Sequence, residues 1–280
     1  MLRWQIGDVR VTRVQEIELP RLSWLLPDAT PETLKEIDWI GPFLDPTGDG
    51  LASVHALLIE APGCTLVVDT CIGNDRERGV RAWSGLQTSF LEDLEAAGPG
   101  VAAVDAVVCT HLHVDHVGWN TRLVDGHWVP TFDNARYLVG RTEWDHWNRS
   151  EDEGQQQVLA DAVRPIFDAG KVDLVESDHR ICDEVWLEPT PGHTPGHVAV
   201  RISSRGEDAV ITGDLMHHPA QIARPHWCSV ADHDSSQALQ TRSDFLSRYS
   251  DTPTLVIGTH FAGPTAGRLV SDGDAYRLDY

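Results

Sequence analysis

The feature that most constrains this chain is the run Cys109-Thr-His-Leu-His-Val-Asp-His-Val-Gly118, which places His111, His113, Asp115 and His116 within six positions. The apolar residues 104–109 just before it read as a buried strand. The histidines therefore begin where a strand ends, on a loop carried by a rigid scaffold, a common station for reactive groups. In an extended segment side chains alternate faces, so His111 and His113 point the same way and can hold one ion. Asp115 and His116 are placed to turn toward a second. The chain holds 14 histidines in 280 residues, so a polar His-rich loop without metal is the competing reading. Four specified residue types in this order arise by chance on the order of 10⁻³ to 10⁻² times per chain of this length. Metal binding is the stronger reading.

The second half repeats the pattern. A short strand at 185–188 runs into Thr190-Pro-Gly-His-Thr-Pro-Gly-His197, where two Pro-Gly pairs fix a tight loop presenting His193. A strand follows at 197–202, with His197, at its start, read as structural. Residues 209–214 form a strand running into Asp214, and residues 254–260 a strand ending on His260. Four strand ends thus carry a metal-capable residue. Upstream, strands at 54–60 and 64–69 are joined by a turn at 61–63, and the second ends at Asp69. A carboxylate there is either a satisfied turn residue or a partner that orients metal ligands. Leu86, Phe90, Leu91 and Leu94 recur at helical spacing, with Gly98 as a stop. Strand, helix, strand in this order implies a βαβ-like unit, not an all-β fold.

The remaining stretches fill in the frame. Residues 3–18 alternate as an opening β-hairpin. Residues 20–50 form an apolar arm punctuated by prolines, able to cover a pocket, make a homodimer contact or pack on a sheet. Asp45–Gly50 reads as a turn. A hairpin turn is expected at Asp125-Gly126, a strand at 135–139, and helices over 141–169, broken near 149–154. Glu143, Asp145, Glu151, Asp152 and Glu153 read as a solvated acidic face, and His146 and His179 as surface residues. A last helix is expected at about 235–249. The organisation expected is one domain over 1–280: hairpin and arm (1–50), core (51–265) and C-terminal tail (266–280).

Composition excludes several classes. An apolar content of 41% and mean hydropathy of −0.26 suit a globular chain. No run of about 18 apolar residues exists, which argues against a transmembrane helix. The N-terminus lacks the apolar core of a secretory signal, so a cytoplasmic location is expected. Five scattered cysteines without a CxxC pair fit reduced thiols rather than a disulfide framework or zinc ribbon. A net charge of −21, with Lys35 and Lys171 the only lysines, repels phosphate backbones and argues against nucleic acid as a partner.

Taken together, Thr110–His116, Thr190-Pro-Gly-His193, Thr212-Gly-Asp214, Gly258-Thr-His260 and Val67-Val-Asp69 resemble the signature of the metallo-β-lactamase superfamily over about residues 50–265. Gly118-Trp-Asn120, Gly213–His218 and His260-Phe261 are similar to the branch holding acyl-homoserine lactonases and methyl-parathion-type hydrolases. The resemblance implies an α/β fold, an αββα sandwich of two mixed β-sheets flanked by helices, with a two-metal site along one edge. By that pattern His111, His113 and His193 would hold one ion. Asp115, His116 and His260 would hold the other, Asp214 would bridge them, and Asp69 would stand behind the ligands. A bridging aspartate separates this chain from the zinc β-lactamases. The lactonases use a tyrosine beside the site, and none of Tyr137, Tyr249, Tyr276 or Tyr280 falls in a matching motif.

Five imidazoles and two carboxylates suit two divalent ions, zinc first, with Mn²⁺, Co²⁺ or Fe²⁺ also compatible. Such a pair lowers the pKa of a bridging water and yields a hydroxide that attacks a lactone, ester or organophosphate triester. Asp115 or Asp214 could carry the proton. His217 and His218 are candidates for the surroundings of the ligands, and Trp83, Trp119 and Phe261 for an apolar wall receiving a small-molecule substrate. The alternatives are a phosphodiesterase or nuclease on the same site, which the acidic charge disfavours, and a mononuclear-iron sulfur dioxygenase-like enzyme. A complete second set of ligands disfavours the latter.

Overall fold

The computed structural model describes residues 1–280 and divides their strands between two facing sheets. The first contains β1 (Arg3–Ile6), β2 (Val9–Leu19), β3 (Ala52–Ala61), β4 (Cys64–Val68), β5 (Ala106–Cys109), β8 (Arg136–Gly140) and β9 (Val172–Val175), adjacent in that order. Its first four strands pair antiparallel, and β4, β5, β8 and β9 run parallel. The second contains β10 (Val185–Pro189), β11 (Val198–Ser204), β12 (Glu207–Ile211), β13 (Leu255–Ile257), β14 (Ala266–Asp272) and β15 (Ala275–Asp279), of which only β12 and β13 are parallel neighbours. A separate hairpin, β6 (Thr121–Val124) with β7 (His127–Pro130), turns at Asp125-Gly126, both with positive φ. These are the mixed sheets and flanking helices of an αββα sandwich.

Alternation along the strands explains the layers. Leu66, Val68, Ala106 and Val108 meet Val198, Val200, Ala209, Ile211 and Ile257 between the sheets. Their neighbours Val67, Val107 and Cys109 face outward under the helix Phe90–Ala97 and the helical run 153–168. On the other sheet Ala199, Val210 and Val256 lie under Phe245 and Leu246 of the helix Ser235–Tyr249. Strands buried on both faces read as continuous apolar runs, which is why 104–109 and 209–211 stood out. Each fully buried Leu, Ile or Phe here contributes about 1.5–3 kcal/mol over exposure.

The arm 20–50 packs on the outer face of the second sheet. Leu22, Leu26, Leu34 and Phe43 are fully buried there. Asp45 closes the expected turn by accepting from the Thr47 and Asp49 amides at 2.7 and 3.2 Å. Three expectations are corrected. Residues 266–280 are not a tail but strands β14 and β15, which complete the second sheet. Only Leu269 and Leu278 anchor them strongly, so their periodicity was faint. The helix expected from Leu86 starts at Phe90, because Asn74 holds the Thr88 amide at 2.8 Å in a loop. Glu143 is not on a solvated face; it is 1% exposed.

Candidate metal centre

The edge that carries the site follows from strand direction. β10 and β12 are each antiparallel to β11, and β13 is parallel to β12, so all three end on one edge. β5 ends beside them, joined across the sheets by the Val198 amide donating to the Thr110 carbonyl at 3.1 Å. His111, His193, Asp214 and His260 follow those four ends and converge.

The convergence is close. Asp214 Oδ2 lies 3.3 Å from His116 Nε2, 3.4 Å from His193 Nε2 and 3.7 Å from His111 Nε2. Asp214 Oδ1 lies 3.1 Å from His260 Nε2, and Asp115 Oδ2 lies 3.5 Å from that nitrogen. Asp115 Oδ1 is 3.7 Å from His116 Nε2. His113 Nδ1 faces His193 Nε2 at 3.0 Å, and His116 Nε2 faces His260 Nε2 at 3.2 Å. Ligand atoms gather within 4.8 Å of one another in the groups His111–His113–His193, His111–His116–Asp214 and Asp115–His116–His260. All seven residues expected from the sequence are therefore brought together.

The groups fit divalent cations. His111 Nε2 is buried with no hydrogen-bond partner, a costly state for a polar atom unless a cation completes it. Imidazole nitrogens aimed at each other across 3.0–3.2 Å fit lone pairs sharing an ion, and the nitrogen and carboxylate donor set suits zinc. Electrostatics agree. Burial drives His111 and His193 well below the ordinary imidazole value, keeping them neutral. Burial opposes charge on His116, but Asp214, Asp69 and Asp115 outweigh it and hold the ring well above that value. Asp214 is buried too, yet His116, His260 and their neighbours keep it well below the ordinary carboxylate value.

Behind the cluster four of the five rings, all but His113, are oriented from the far nitrogen. Asp69, in left-handed backbone at φ 57°, accepts from the Thr110 amide and hydroxyl and lies 2.8 Å from His116 Nδ1. His260 Nδ1 lies 2.9 Å from the Ser53 carbonyl, and His111 Nδ1 3.1 Å from the Thr110 hydroxyl. Asp232, which the sequence reading missed, lies 2.9 Å from His193 Nδ1 and accepts from the Ser229 amide. It sits 39 residues from its histidine in an ordinary loop, and no spacing marks it. Glu143, also missed, accepts from the amides of Leu112 and Gly196 at 3.1 and 3.0 Å and from Trp147 Nε1 at 2.6 Å. It ties the His111–His113 loop to the His193 loop. A Cβ on Gly196 would meet the Glu143 backbone at 2.3 Å, so the tie needs glycine there.

His197 is structural, as expected. Its Nδ1 meets the Thr190 carbonyl and its Nε2 accepts from the Asp214 amide at 2.8 Å, which places the Asp214 carboxylate. Gly213, at φ 55°, permits this approach; a Cβ there would lie 2.5 Å from His197 Nε2.

A cavity of about 760 Å³, open to solvent, lies over the cluster. His113, Asp115, His193, Asp214, His217 and His260 form its floor. Leu19, Leu22, Trp24 and Leu25 from the N-terminal segment wall one side, with Val80, Trp83, Val114 and Ala231 around them. Trp24 and Trp83 meet edge to face at 6.0 Å. No Lys or Arg lines the cavity. Trp83 stands where the sequence reading placed it. Trp119 does not: its indole donates to Glu16 and stacks on Phe90 beneath the first sheet. Phe261 does not either, being fully buried against Phe43. Adjacent in sequence to ligands, both side chains turn to the opposite side. His217 lines the cavity, with Nε2 3.3 Å from Asp214 Oδ2. His218 turns away, bonding the Phe43 carbonyl and the Ala220 amide, and so anchors the arm. None of the four tyrosines lines the cavity.

Comparison with known proteins places this geometry. A sequence profile described as the metallo-beta-lactamase superfamily matches residues 49–260. An N-acyl homoserine lactonase of Bacillus sp is 29% identical over 105 residues, 38% of this chain and 35% of that protein. A probable metallo-hydrolase of Mycobacterium bovis is 25% identical over 185 residues, 59% of this chain and 57% of the relative. The chain thus spans between about a third and somewhat over half of the lengths of these relatives. Among solved structures, the dizinc quorum-quenching lactonase AidC, in complex with a product, superposes with a TM-score of 0.81 at 20% identity, covering 99% of this chain and 96% of that one. The hydrolase AbOPH gives 0.81 at 24% identity, again over 99% and 96%.

Proposed function

The chain belongs to the metallo-β-lactamase superfamily, and from that premise we propose that it is a metallo-hydrolase that binds two divalent ions, zinc first, and hydrolyses neutral lactones, esters or phosphotriesters carrying an apolar group. The observation that carries this reading is the cavity: a seven-residue donor cluster under apolar walls without a lysine or arginine. The ions would balance an anion at the floor itself, but a charged group elsewhere on a substrate would meet apolar walls with no lysine or arginine, which costs several kcal/mol for an uncompensated charge near low dielectric. A neutral acyl or aryl compound gains about 25 cal/mol for each Å² of apolar surface buried against Trp24, Leu25, Val80 and Trp83.

Bound at this cluster, the ions would supply a water ionised near neutral pH and polarisation of the substrate oxygen. His111, His113 and His193 would hold one ion, Asp115, His116 and His260 the other, and Asp214 both. Burial keeps His111 and His193 neutral and so ready to donate lone pairs. Asp69, Asp232 and the Ser53 carbonyl fix the ring faces, so little reorganisation is needed at the reacting centre. Asp214 and Asp115 are the carboxylates placed to take the water's proton and return it to the departing oxygen. The Trp24–Trp83 pair orients the apolar group and excludes water from the floor.

The test compares zinc-loaded protein on an acyl homoserine lactone series from four to twelve carbons, an aryl ester, an aryl phosphotriester and an aryl phosphodiester. The reading predicts turnover of one or more neutral classes, kcat/KM rising with acyl length, and poorer use of the diester than of the triester. Preference for the diester would overturn it.

A further inference from the structure

His217 stands at the reacting centre, yet no role falls to it in the seven-residue set. It is 2% exposed, lines the cavity floor, and brings Nε2 to 3.3 Å from Asp214 Oδ2. By distance alone it equals His116 at 3.3 Å and His193 at 3.4 Å, and with His193 and Asp214 it forms a further group of potential ligands. The difference lies behind the ring. A neutral imidazole carries one proton, and the far nitrogen's partner decides which nitrogen keeps it. His111, His116, His193 and His260 each offer Nδ1 an acceptor: the Thr110 hydroxyl, Asp69, Asp232 and the Ser53 carbonyl. Their proton can sit at Nδ1, freeing the Nε2 lone pair for an ion. His217 Nδ1 is buried and has no partner.

Ligation through Nε2 would force the His217 proton onto Nδ1, burying an N–H with no acceptor. With the proton on Nε2, the N–H faces the cavity and the Asp214 carboxylate. We propose that His217 donates an Nε2–H hydrogen bond to the substrate's departing oxygen and is not a metal ligand. The inference rests on the hydrolase reading above. In the hydrolysis of a lactone or ester, water oxygen bonds to the acyl carbon, the acyl–oxygen bond breaks, and one water proton ends on the departing oxygen by way of Asp214. That oxygen must therefore pass close to Asp214, beside the His217 N–H. The histidine keeps its proton and is unchanged by the cycle. It supplies a hydrogen bond at the place where negative charge develops, a task no tyrosine in this cavity can take.

Two measurements decide this. The first is a long-range ¹H–¹⁵N spectrum of ¹⁵N-histidine-labelled, zinc-loaded protein, with His217 assigned by its absence in His217→Gln. The expected spectrum shows protonated Nε2 and bare Nδ1, unmoved by zinc. A proton on Nδ1 with a zinc-shifted Nε2 overturns the proposal. The second compares a lactone, whose departing alkoxide is a poor leaving group, with a 4-nitrophenyl ester, whose phenoxide needs little help. His217→Phe should lose about 100-fold in kcat on the lactone, the scale for one lost oxyanion donor. It should lose under threefold on the aryl ester, with zinc content unchanged. His217→Gln, which keeps an N–H, should recover part of the loss and serves if the Phe variant fails to fold. Equal losses on both substrates, or loss of zinc, refute the proposal. If the wild-type protein turns over neither of these nor the aryl phosphotriester, the hydrolase reading fails, while the spectrum still decides whether His217 is a donor or a ligand.

Discussion

Removing the Glu143 carboxylate should loosen both metal loops at once. In Glu143→Ala, the Leu112 and Gly196 amides and Trp147 Nε1 lose their acceptor. Leu112 and Gly196 are buried, and each stranded donor costs about 1–3 kcal/mol. Relief of the buried charge offsets part of this, so a net loss of about 3 kcal/mol is expected. At about 2–4 °C per kcal/mol for a chain of somewhat smaller size, the melting temperature should fall roughly 6–12 °C. Because Leu112 lies between two donor histidines and Gly196 shares a loop with His193, zinc affinity should fall about 10–100-fold as well. The sign of the pH effect follows from burial, which raises the Glu143 pKa above 4.5. A raised carboxyl contributes stability that is present below the unfolded value and is lost as pH rises through the folded one. The gap between wild type and variant should therefore narrow as pH rises from below 4.5 into the alkaline range, and pH 4 and pH 8 bracket it. Urea unfolding at both pH values, with chelator present, and zinc titration against a competing dye would measure these effects. A variant within 0.5 kcal/mol of wild type with unchanged zinc affinity would refute the reasoning.

Two further outcomes follow from the same geometry. Asp232→Asn replaces the acceptor behind His193 with an amide that can present a donor, so affinity for the first zinc ion should drop about 10–100-fold, and because Asp232 also lies 3.8 Å from the buried Arg242 guanidinium the melting temperature should fall as well; calorimetric titration reads both ions. His218, held at about 4 by burial, stays neutral when folded but protonates when unfolded below about 6.5. Wild-type stability should therefore fall as pH drops from about 6.5 to 4, by up to about 1.4 kcal/mol per unit from this ring. His218→Gln should show a shallower slope in urea midpoints, and an unchanged slope would contradict the assignment.

How much of this was legible in the sequence depends on how local each signal is. The strands beneath the site announce themselves because both faces are buried, as at 104–109 and 209–211. His111, His113, His193, Asp214 and His260 follow strand ends within four positions, and Asp115 and His116 within seven, so adjacency in sequence survives as adjacency in space. Glu143 looked solvated because its neighbours Asp145 and Glu151 are charged, and its acceptor role depends on amides 31 and 53 residues away. Asp232 carries no spacing signal for a similar reason. Trp119 and Phe261 show the converse: standing next to ligands says nothing of which side a ring faces. The arm's use was open because apolar residues between prolines suit a wall or a core equally. In the structure Leu22 serves both, being fully buried and lining the cavity.

The most direct test of the two-ion site is metal content by mass spectrometry after zinc loading and desalting, on wild-type protein and on His260→Ala. The account predicts two ions per chain in the wild type and about one in the variant, since His113 and His193 lie on the other side of Asp214. One ion or none in a folded wild-type protein would contradict it.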